Sequence, residues 1–471
     1  MDRSTIAAIA TPVGSAGIGI IRISGPDALP IASSIFRRSG PVSGALNPAG
    51  QKSAPLPESH RLTHGHVVDP ETDRILDEVL LAIMVAPHSY TREDVAEINS
   101  HSGLVVLKNI LELVLSRGAR LAEPGEFTKR AFINGRIDLT QAEAVMDVVN
   151  ARSDKALEIA TAHLKGEFKL RVESIRDFLL DLLVQMEAAI DFPEDVGEIF
   201  EPAAVLAGLR DKAITPLEHL LRQYLQAHIL RDGLVLAVAG RPNVGKSSLM
   251  NRLVQKDRVI VSAEPGTTRD FVEESLNIHG IPIIIADTAG LHETQDPVEV
   301  IGIQRTQAYI DSADLILFVV DGSCHLTKED YYIYDTLRGK HVILVSNKSD
   351  LVGGVAPLEI PESWNKLPSV SVSALYGHNL EQLKELIASV SMGDFKLESR
   401  NTIVPNLRHK LALERCVAAL ESAVKGIEDQ IPTELIAIDL SEAIDQLGEI
   451  IGLTARKDVL DQIFSRFCIG K

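Results

Sequence analysis

The chain has 471 residues, too long for a single hydrophobic core, so roughly two to four domains are expected. Its formal charge is −18 and no stretch of domain size is net basic, which excludes the surface that strong non-specific nucleic-acid binding requires. Cys324, Cys416 and Cys468 form no CxxC pair, and no apolar run reaches the ~18–20 residues of a membrane span; a disulfide scaffold, a zinc site and a membrane protein are excluded, and a reducing, cytoplasmic setting is expected.

At the start of the chain, Pro12 and glycines 14, 17 and 19 interrupt any signal-like apolar stretch. The GIG at 17–19 is not a dinucleotide fingerprint, because Arg22 stands where that pattern needs its third glycine. Short β-like runs at Ile18–Ile23 and Val79–Val85, a helix over Gly103–Ser116, and a Gly/Pro/Ser-rich loop at 40–58 predict an α+β domain over residues 1–125. From about 126 to 230 helical spacing takes over, as in Ala156, Ile159, Ala160, His163 and Leu164, and again in Phe178, Leu179, Leu182, Leu183 and Met186. The same texture returns at Arg408–Ile427 and Leu435–Ile451.

Between these helical stretches lies a different pattern. The apolar run LVLAVA at 234–239 leads into GRPNVGKS at 240–247, which fits the phosphate loop GxxxxGK(S/T) and opens a helix over Ser247–Leu253. Backbone N–H groups around Asn243, Gly245 and Ser248 would cradle phosphates. Lys246 would reach the β- and γ-phosphates, and the Ser247 hydroxyl would sit on Mg²⁺. GTTRD at 266–270 offers Thr267 and Thr268, the latter completing Mg²⁺ coordination. DTAG at 287–290 contributes Asp287, which holds the metal through water, with Thr288, Ala289 and Gly290 beside it. NKSD at 347–350 decides the base: Asp350 accepts from N1–H and the exocyclic amine of guanine, which adenine lacks, while Asn347 and Lys348 complete the motif. Ser373 and Ala374 belong to the final SAL segment. Apolar runs at 281–286, 315–320, 342–346 and 369–373 end at Asp287, Asp321, Asn347 and the SAL segment, so function sits at the strand C-termini, as in a doubly wound parallel sheet. The reading is a GTP-binding α/β domain over 231–393, inserted into a helical domain built from 126–230 and 394–471.

Beyond these five motifs, the sequence contains ATPVGSAGIGIIRISG at 10–25, YTREDVAEINSHSG at 90–103, PGEFTKRAFINGRIDLTQAEA at 124–144, EAAIDFPE at 187–194 and FCIGK at 467–471. On these residues the whole chain resembles the bacterial tRNA modification GTPase MnmE (TrmE) family. The resemblance implies a homodimer that forms a heterotetramer with the FAD-dependent MnmG. Together they would add a carboxymethylaminomethyl or aminomethyl group at C5 of the wobble uridine of certain tRNAs. It further implies that the N-terminal domain serves dimerisation and binds 5-formyltetrahydrofolate or another tetrahydrofolate derivative. An acidic chain acting on tRNA is then reasonable, because the partner can supply much of the RNA surface.

Many small GTPases orient the attacking water with a Gln directly after DTAG. Leu291 occupies that place here and has no polar group to offer. The resemblance assigns the role to Glu299 and implies K⁺ in place of an arginine finger, with Asn243 as its best-matched ligand and oxygens around Ser262, Glu264 and Thr267 completing the site. Arg269, beside Asp270, is an alternative finger. The folate positions carry over to Arg22, Glu97, Arg136 and Lys471. A carboxylate can grip a pterin's amide-plus-amine edge, and arginines can meet carboxylates bidentately. Read without the family, Arg22 could cap a strand and Glu97 could pair with Arg92. Cys468 is either catalytic or folate-facing, or a structural thiol; Gly470 and Lys471 argue against a prenylation box there. A ribosome-assembly GTPase that binds rRNA is the alternative function, and it predicts a basic KH-like appendage. A scaffold GTPase predicts an amphipathic basic helix or lipid anchor. Neither feature is found in the sequence.

Overall fold

A computed structural model of the chain describes residues 4–12, 14, 16–39, 58–191, 201–257, 274–285, 313–351, 360–392, 403–454 and 456–471. It divides into two compact units, Met1–Met146 with Gly448–Lys471, and Asp147–Leu447.

The first unit is built on a seven-stranded sheet. In chain order its elements are β1 (Ile6–Ile9), β2 (Gly19–Ser24), α1 (Ala28–Ile35), β3 (Phe36–Arg38), β4 (Leu62–Asp69), β5 (Arg74–Met84), β6 (Val95–Ser100), α2 (Leu104–Ser116), β7 (Arg120–Leu121) and α3 (Glu126–Ile133). The strands lie in the order β3-β4-β5-β6-β2-β1-β7 and are antiparallel except where β1 meets β7. Alternation decides which face is buried. Ile21 and Ile23 of β2 point into the core with Leu81, Ile83 and Ile98, while Arg22 between them faces the other side. Leu107, Ile110 and Val114 give α2 one apolar face at helical spacing, and it packs on that core beside Ile31 and Ile35 of α1.

Helix α4 (Leu139–Asn150) runs from this unit into the second, which continues through α5 (Asp154–Leu164), α6 (Glu167–Asp191) and α7 (Pro202–Leu209). A π-helical turn at Arg210–Ile214 joins α7 to α8 (Thr215–Asp232). The α/β part follows: β8 (Leu234–Ala239), α9 (Lys246–Asp257), β9 (Glu274–Ile278), β10 (Ile281–Ile285), β11 (Leu315–Asp321), α10 (Lys328–Thr336), β12 (Val342–Asn347), β13 (Ser369–Ser371) and α11 (Leu380–Met392). Its sheet runs β13-β12-β11-β8-β10-β9 and is parallel throughout except at the edge, where β9 pairs antiparallel with β10. That hairpin is the one departure from the all-parallel expectation. His279 and Gly280 make its turn, both with positive φ. β8 has β10 on one side and β11 on the other, so the loop after it sits at the topological switch point.

After the α/β part come α12 (Leu407–Glu428), α13 (Thr433–Ile451) and α14 (Lys457–Phe464). Helices from the two flanks meet. His163 of α5, Phe168 of α6 and His409 of α12 form a buried ring cluster with centroids 5.1, 6.3 and 4.8 Å apart, and Arg210 bridges to Glu428 at 2.7 Å. The α/β part is therefore an insertion between helices that pack on each other. Among the described residues no helix is long and apolar enough to cross a membrane.

Candidate functional site

The phosphate loop carries its shape in two glycines and an asparagine. Gly240 and Gly245 have φ of +151° and +94°, and a Cβ on them would stand 2.3 Å from the Val319 carbonyl oxygen and 2.3 Å from Asn347 Nδ2. Asn243 sits at φ +64°, a left-handed conformation that asparagine tolerates better than most residues. Lys246 opens α9, and its Nζ donates to the carbonyls of Gly240 and Arg241 at 2.8 and 2.9 Å. Burial holds its ammonium below the ordinary lysine range. Ser247 and Ser248 follow in the first turn, where backbone N–H groups have no intrahelical partner.

The side chain of Asn347, at the end of β12, ties three motifs together. Its amide Nδ2 donates to the Val244 carbonyl at 2.8 Å, and its Oδ1 accepts from the Ala374 N–H at 3.0 Å. The residue is 2% exposed, so both bonds are made out of water and neither end is replaceable by solvent. Asp350 accepts from the Ser373 hydroxyl at 2.5 Å, and Ser373 Oγ also accepts from the Tyr376 N–H at 3.2 Å. Lys348, at φ +65°, donates to Asp321 Oδ2 at 2.6 Å, linking the ends of β11 and β12. Burial pushes the Asp321 carboxyl up, but hydrogen bonds from Lys348 and Ser323 outweigh it and hold the group below the usual carboxylate range. The sequence places Asp321 at the end of its apolar run; the structure adds its bond to Lys348. Thr267, Thr268, Ser262, Glu264, Asp287, Thr288, Ala289, Gly290, Leu291 and Glu299, with Arg269 and Asp270, lie outside the described residues. Among the described residues no cluster of His, Cys, Asp and Glu could hold a metal ion.

In the first unit, β2 and β6 place Arg22 opposite Glu97, and the pair closes at 2.8 Å. Arg22 therefore pairs across the sheet and does not cap a strand. Arg92 turns away from Glu97 and donates to the Asn134 carbonyl at 2.9 Å. Arg22 Nη1 also reaches the Gly470 carbonyl at 3.3 Å, next to Lys471. Its guanidinium lies 5.6 Å from the ring centroids of both Tyr90 and Phe127, while Arg136 stacks on Tyr90 at 4.7 Å. The structure thus brings Arg22, Glu97, Arg136 and the 470–471 segment to one place. It adds Tyr90, which sequence reasoning missed even though an aromatic among arginines is a usable signal in a chain only 4% aromatic. Cys468 is half-buried nearby in sequence, and its carbonyl accepts from the Lys471 and Gly125 N–H groups. Cys416, by contrast, is wholly buried, and burial pushes its thiol up to about 12, making it inert at neutral pH.

A doubly wound sheet, a Gly-rich phosphate loop at its switch point and an Asn-Lys-Ser-Asp motif wired to that loop define a guanine-nucleotide-binding P-loop protein. Family profiles described as "GTP-binding protein TrmE N-terminus" and "MnmE helical domain" match residues 5–136 and 139–468. Proteins named tRNA modification GTPase MnmE align over the whole chain. The one from Thermoanaerobacter sp. is 47% identical over 100% of both chains, that of Moorella thermoacetica 46% over 100% of both, and that of Bacillus subtilis 43% over 99% and 100%. The chain belongs to the MnmE family of tRNA modification GTPases. Among solved structures, a variant of Aquifex aeolicus Era bound to GDP and AlF4⁻ aligns with 39% of this chain and 66% of its own at 30% identity, with a TM-score of 0.27.

Proposed function

We propose that this chain hydrolyses GTP as part of tRNA modification. Acting as a homodimer with the FAD-dependent MnmG, it would help add a carboxymethylaminomethyl or aminomethyl group at C5 of the wobble uridine. The observation that carries the GTPase part is the Asn347 amide, which holds the phosphate loop through Val244 and the base loop through Ala374. Full-length likeness to proteins named for tRNA modification supports the rest. The three parts are assigned to 1–125 for tetrahydrofolate binding and dimerisation, 126–230 with 394–471 for the helical frame, and 231–393 for GTP. The site is cytoplasmic in this reading.

Each described residue then has a task. The loop N–H groups around Gly245 and the Lys246 ammonium bind the β- and γ-phosphates; because Lys246 already sits in a partly desolvated place, its charge acts strongly on phosphate. Asp350 accepts from guanine, held by Ser373. Ser247 would hold Mg²⁺ with Thr268, and Asn243 would hold K⁺ with Ser262, Glu264 and Thr267, a set of oxygen donors of the kind hard cations take. When bound, these cations supply positive charge toward the phosphoryl oxygens. Glu299 would orient the attacking water. In the first unit, a carboxylate, two guanidiniums and an aromatic face suit a tetrahydrofolate derivative: Glu97 for the pterin edge, Arg22, Arg136 and Lys471 for carbonyl or carboxylate oxygens. Such a derivative would supply a one-carbon unit. Cys468 is proposed to face it.

The test is steady-state GTP hydrolysis in K⁺ and in Na⁺ at equal ionic strength. The expected result is a K⁺-specific acceleration of at least about tenfold, since a cation at the transferring phosphoryl group is worth several kcal/mol. Equal rates in the two salts would remove the K⁺ role and return attention to Arg269. Loss of the wobble-uridine modification in cells lacking the gene, restored by the wild-type chain, tests the tRNA part.

A further inference from the structure

Arg252 lies on α9, six residues beyond Lys246 and so about 9 Å further along the helix axis. Among the described residues it makes no ion pair with a helix carboxylate, a common use of a helix-surface arginine. Its Nε donates to the Ala374 carbonyl at 3.2 Å and its Nη2 to the Leu375 carbonyl at 2.6 Å. These are successive carbonyls of the segment that follows β13. A guanidinium presents its N–H groups in a fixed planar fork, so two bonds from one fork set the orientation of two successive peptide planes.

The rest of that segment is held from other directions. Asn347 takes the Ala374 N–H, Ser373 Oγ takes the Tyr376 N–H, and the Ser373 N–H donates to the His378 carbonyl at 3.2 Å. Peptide groups are planar and trans, so a carbonyl drawn toward Arg252 sends the N–H of the next residue the opposite way. The Leu375 N–H is thus directed away from the guanidinium. Guanine presents its O6 oxygen as an acceptor beside the N1–H and amine that Asp350 takes, and a directed backbone N–H is the matching donor.

We propose that Arg252 is a positioning residue for the guanine base, orienting the 373–376 segment and tying it to the helix that opens at the phosphates. The proposal rests on the GTP-binding reading given above. It makes α9 a shared support, with the phosphate-binding lysine at its first residue and the fork that sets the base segment nearly two turns further on.

The experiment compares wild type with Arg252→Met, which keeps the apolar stem and removes every donor, and Arg252→Lys, which restores a cation able to reach one or both carbonyls. The probes are GDP and inosine 5′-diphosphate, which retains O6 and N1–H but lacks the exocyclic amine. Arg252→Met is expected to weaken both nucleotides in parallel by about five- to twentyfold, roughly the worth of a single hydrogen bond, since the lost bonds act on the base only through the segment they orient. The ratio of the two affinities should stay at its wild-type value, because Asp350 still reads the amine. Turnover at saturating GTP should stay within about twofold, with the loss appearing in KM, and Arg252→Lys should recover part of it. Unchanged affinities in Arg252→Met, or a fall in turnover at unchanged affinity, would overturn the role. Should Arg252→Met fail to fold, Arg252→Lys carries the test, since an intact cation that binds both nucleotides as wild type while Arg252→Gln does so too leaves no part for the fork. A wild-type chain that binds neither nucleotide refutes the GTP-binding reading itself, an outcome distinct from equal binding by wild type and variant.

Discussion

At the scale of single residues, the nucleotide site depends on groups with no substitute. Gly245 meets two conditions at once, a positive φ and an approach to Asn347 that leaves no room for a methyl group. Gly245→Ala is expected to cost at least about 2 kcal/mol at the loop, roughly thirtyfold in GDP affinity, read by equilibrium titration. Asp350→Asn replaces an acceptor pair with a donor and an acceptor. GDP affinity should fall by at least about tenfold, while xanthosine diphosphate, whose base presents a carbonyl where guanine has its amine, should gain. Affinities for both nucleotides unchanged from wild type would show that Asp350 does not face the base. Both positions stand out in the sequence because each answers to a fixed chemical demand of the proposed ligand. Arg252 and Tyr90 do not. Their tasks are to hold other residues, and such tasks depend on neighbours that only the folded chain brings near.

At the scale of elements, α3 is fastened to the sheet by charge as well as by packing. Glu126 is nearly buried and accepts from Arg120 at 2.8 and 2.6 Å and from Arg130 at 2.9 Å, while Arg130 also reaches Glu93 at 3.0 Å. Burial pushes the Glu126 carboxyl up, but the Arg120 fork, the Glu123 N–H and Arg130 outweigh it and hold it below its usual range. The sign follows from that depression. Stability from this group is present above the unfolded carboxylate value of about 4.3 and is lost as pH falls through the lower folded value. Glu126→Gln should therefore destabilise the first unit by about 3 kcal/mol near neutrality, because it leaves two arginines with a weaker acceptor in a buried place. Denaturant titrations at neutral pH and near pH 3 should show the gap between variant and wild type closing in acid. A gap that is the same at both pH values would mean that the ion pair is not its source. The elements themselves were unevenly legible. LVLAVA is β8 residue for residue, and α2 starts one residue from its expected bound, since each has a single strong period. The strands β1, β3, β4, β6 and β7 were not separable in sequence. They are short, mixed in polarity, and owe their pairing to neighbours distant in the chain. The β9–β10 hairpin escaped because only its turn distinguishes it from a crossover.

At the scale of the whole molecule, the α/β part interrupts a helical frame that is continuous in space. Phe168, fully buried, lies between His163 of one flank and His409 of the other. Phe168→Ala is expected to cost about 3–5 kcal/mol, as for a buried phenylalanine that leaves a cavity. Far-UV circular dichroism weights the helices, whereas the only tryptophan, Trp364, sits among Phe318, Tyr331 and Tyr334 in the α/β part. The variant should bring the dichroism transition forward and leave the Trp364 fluorescence transition in place, with GDP affinity within about twofold of wild type. Both transitions moving together would mean that frame and insertion unfold as one. The interruption also has a consequence in time. A ribosome adds about 5–20 residues per second, so His409 follows His163 by on the order of ten to fifty seconds. Throughout that interval the nascent frame holds two aromatic rings with their third partner still unmade, while the inserted part, contiguous from Leu234 to Met392, can finish its own sheet first. The vulnerable moment in the life of this protein falls in synthesis, and it belongs to the helices.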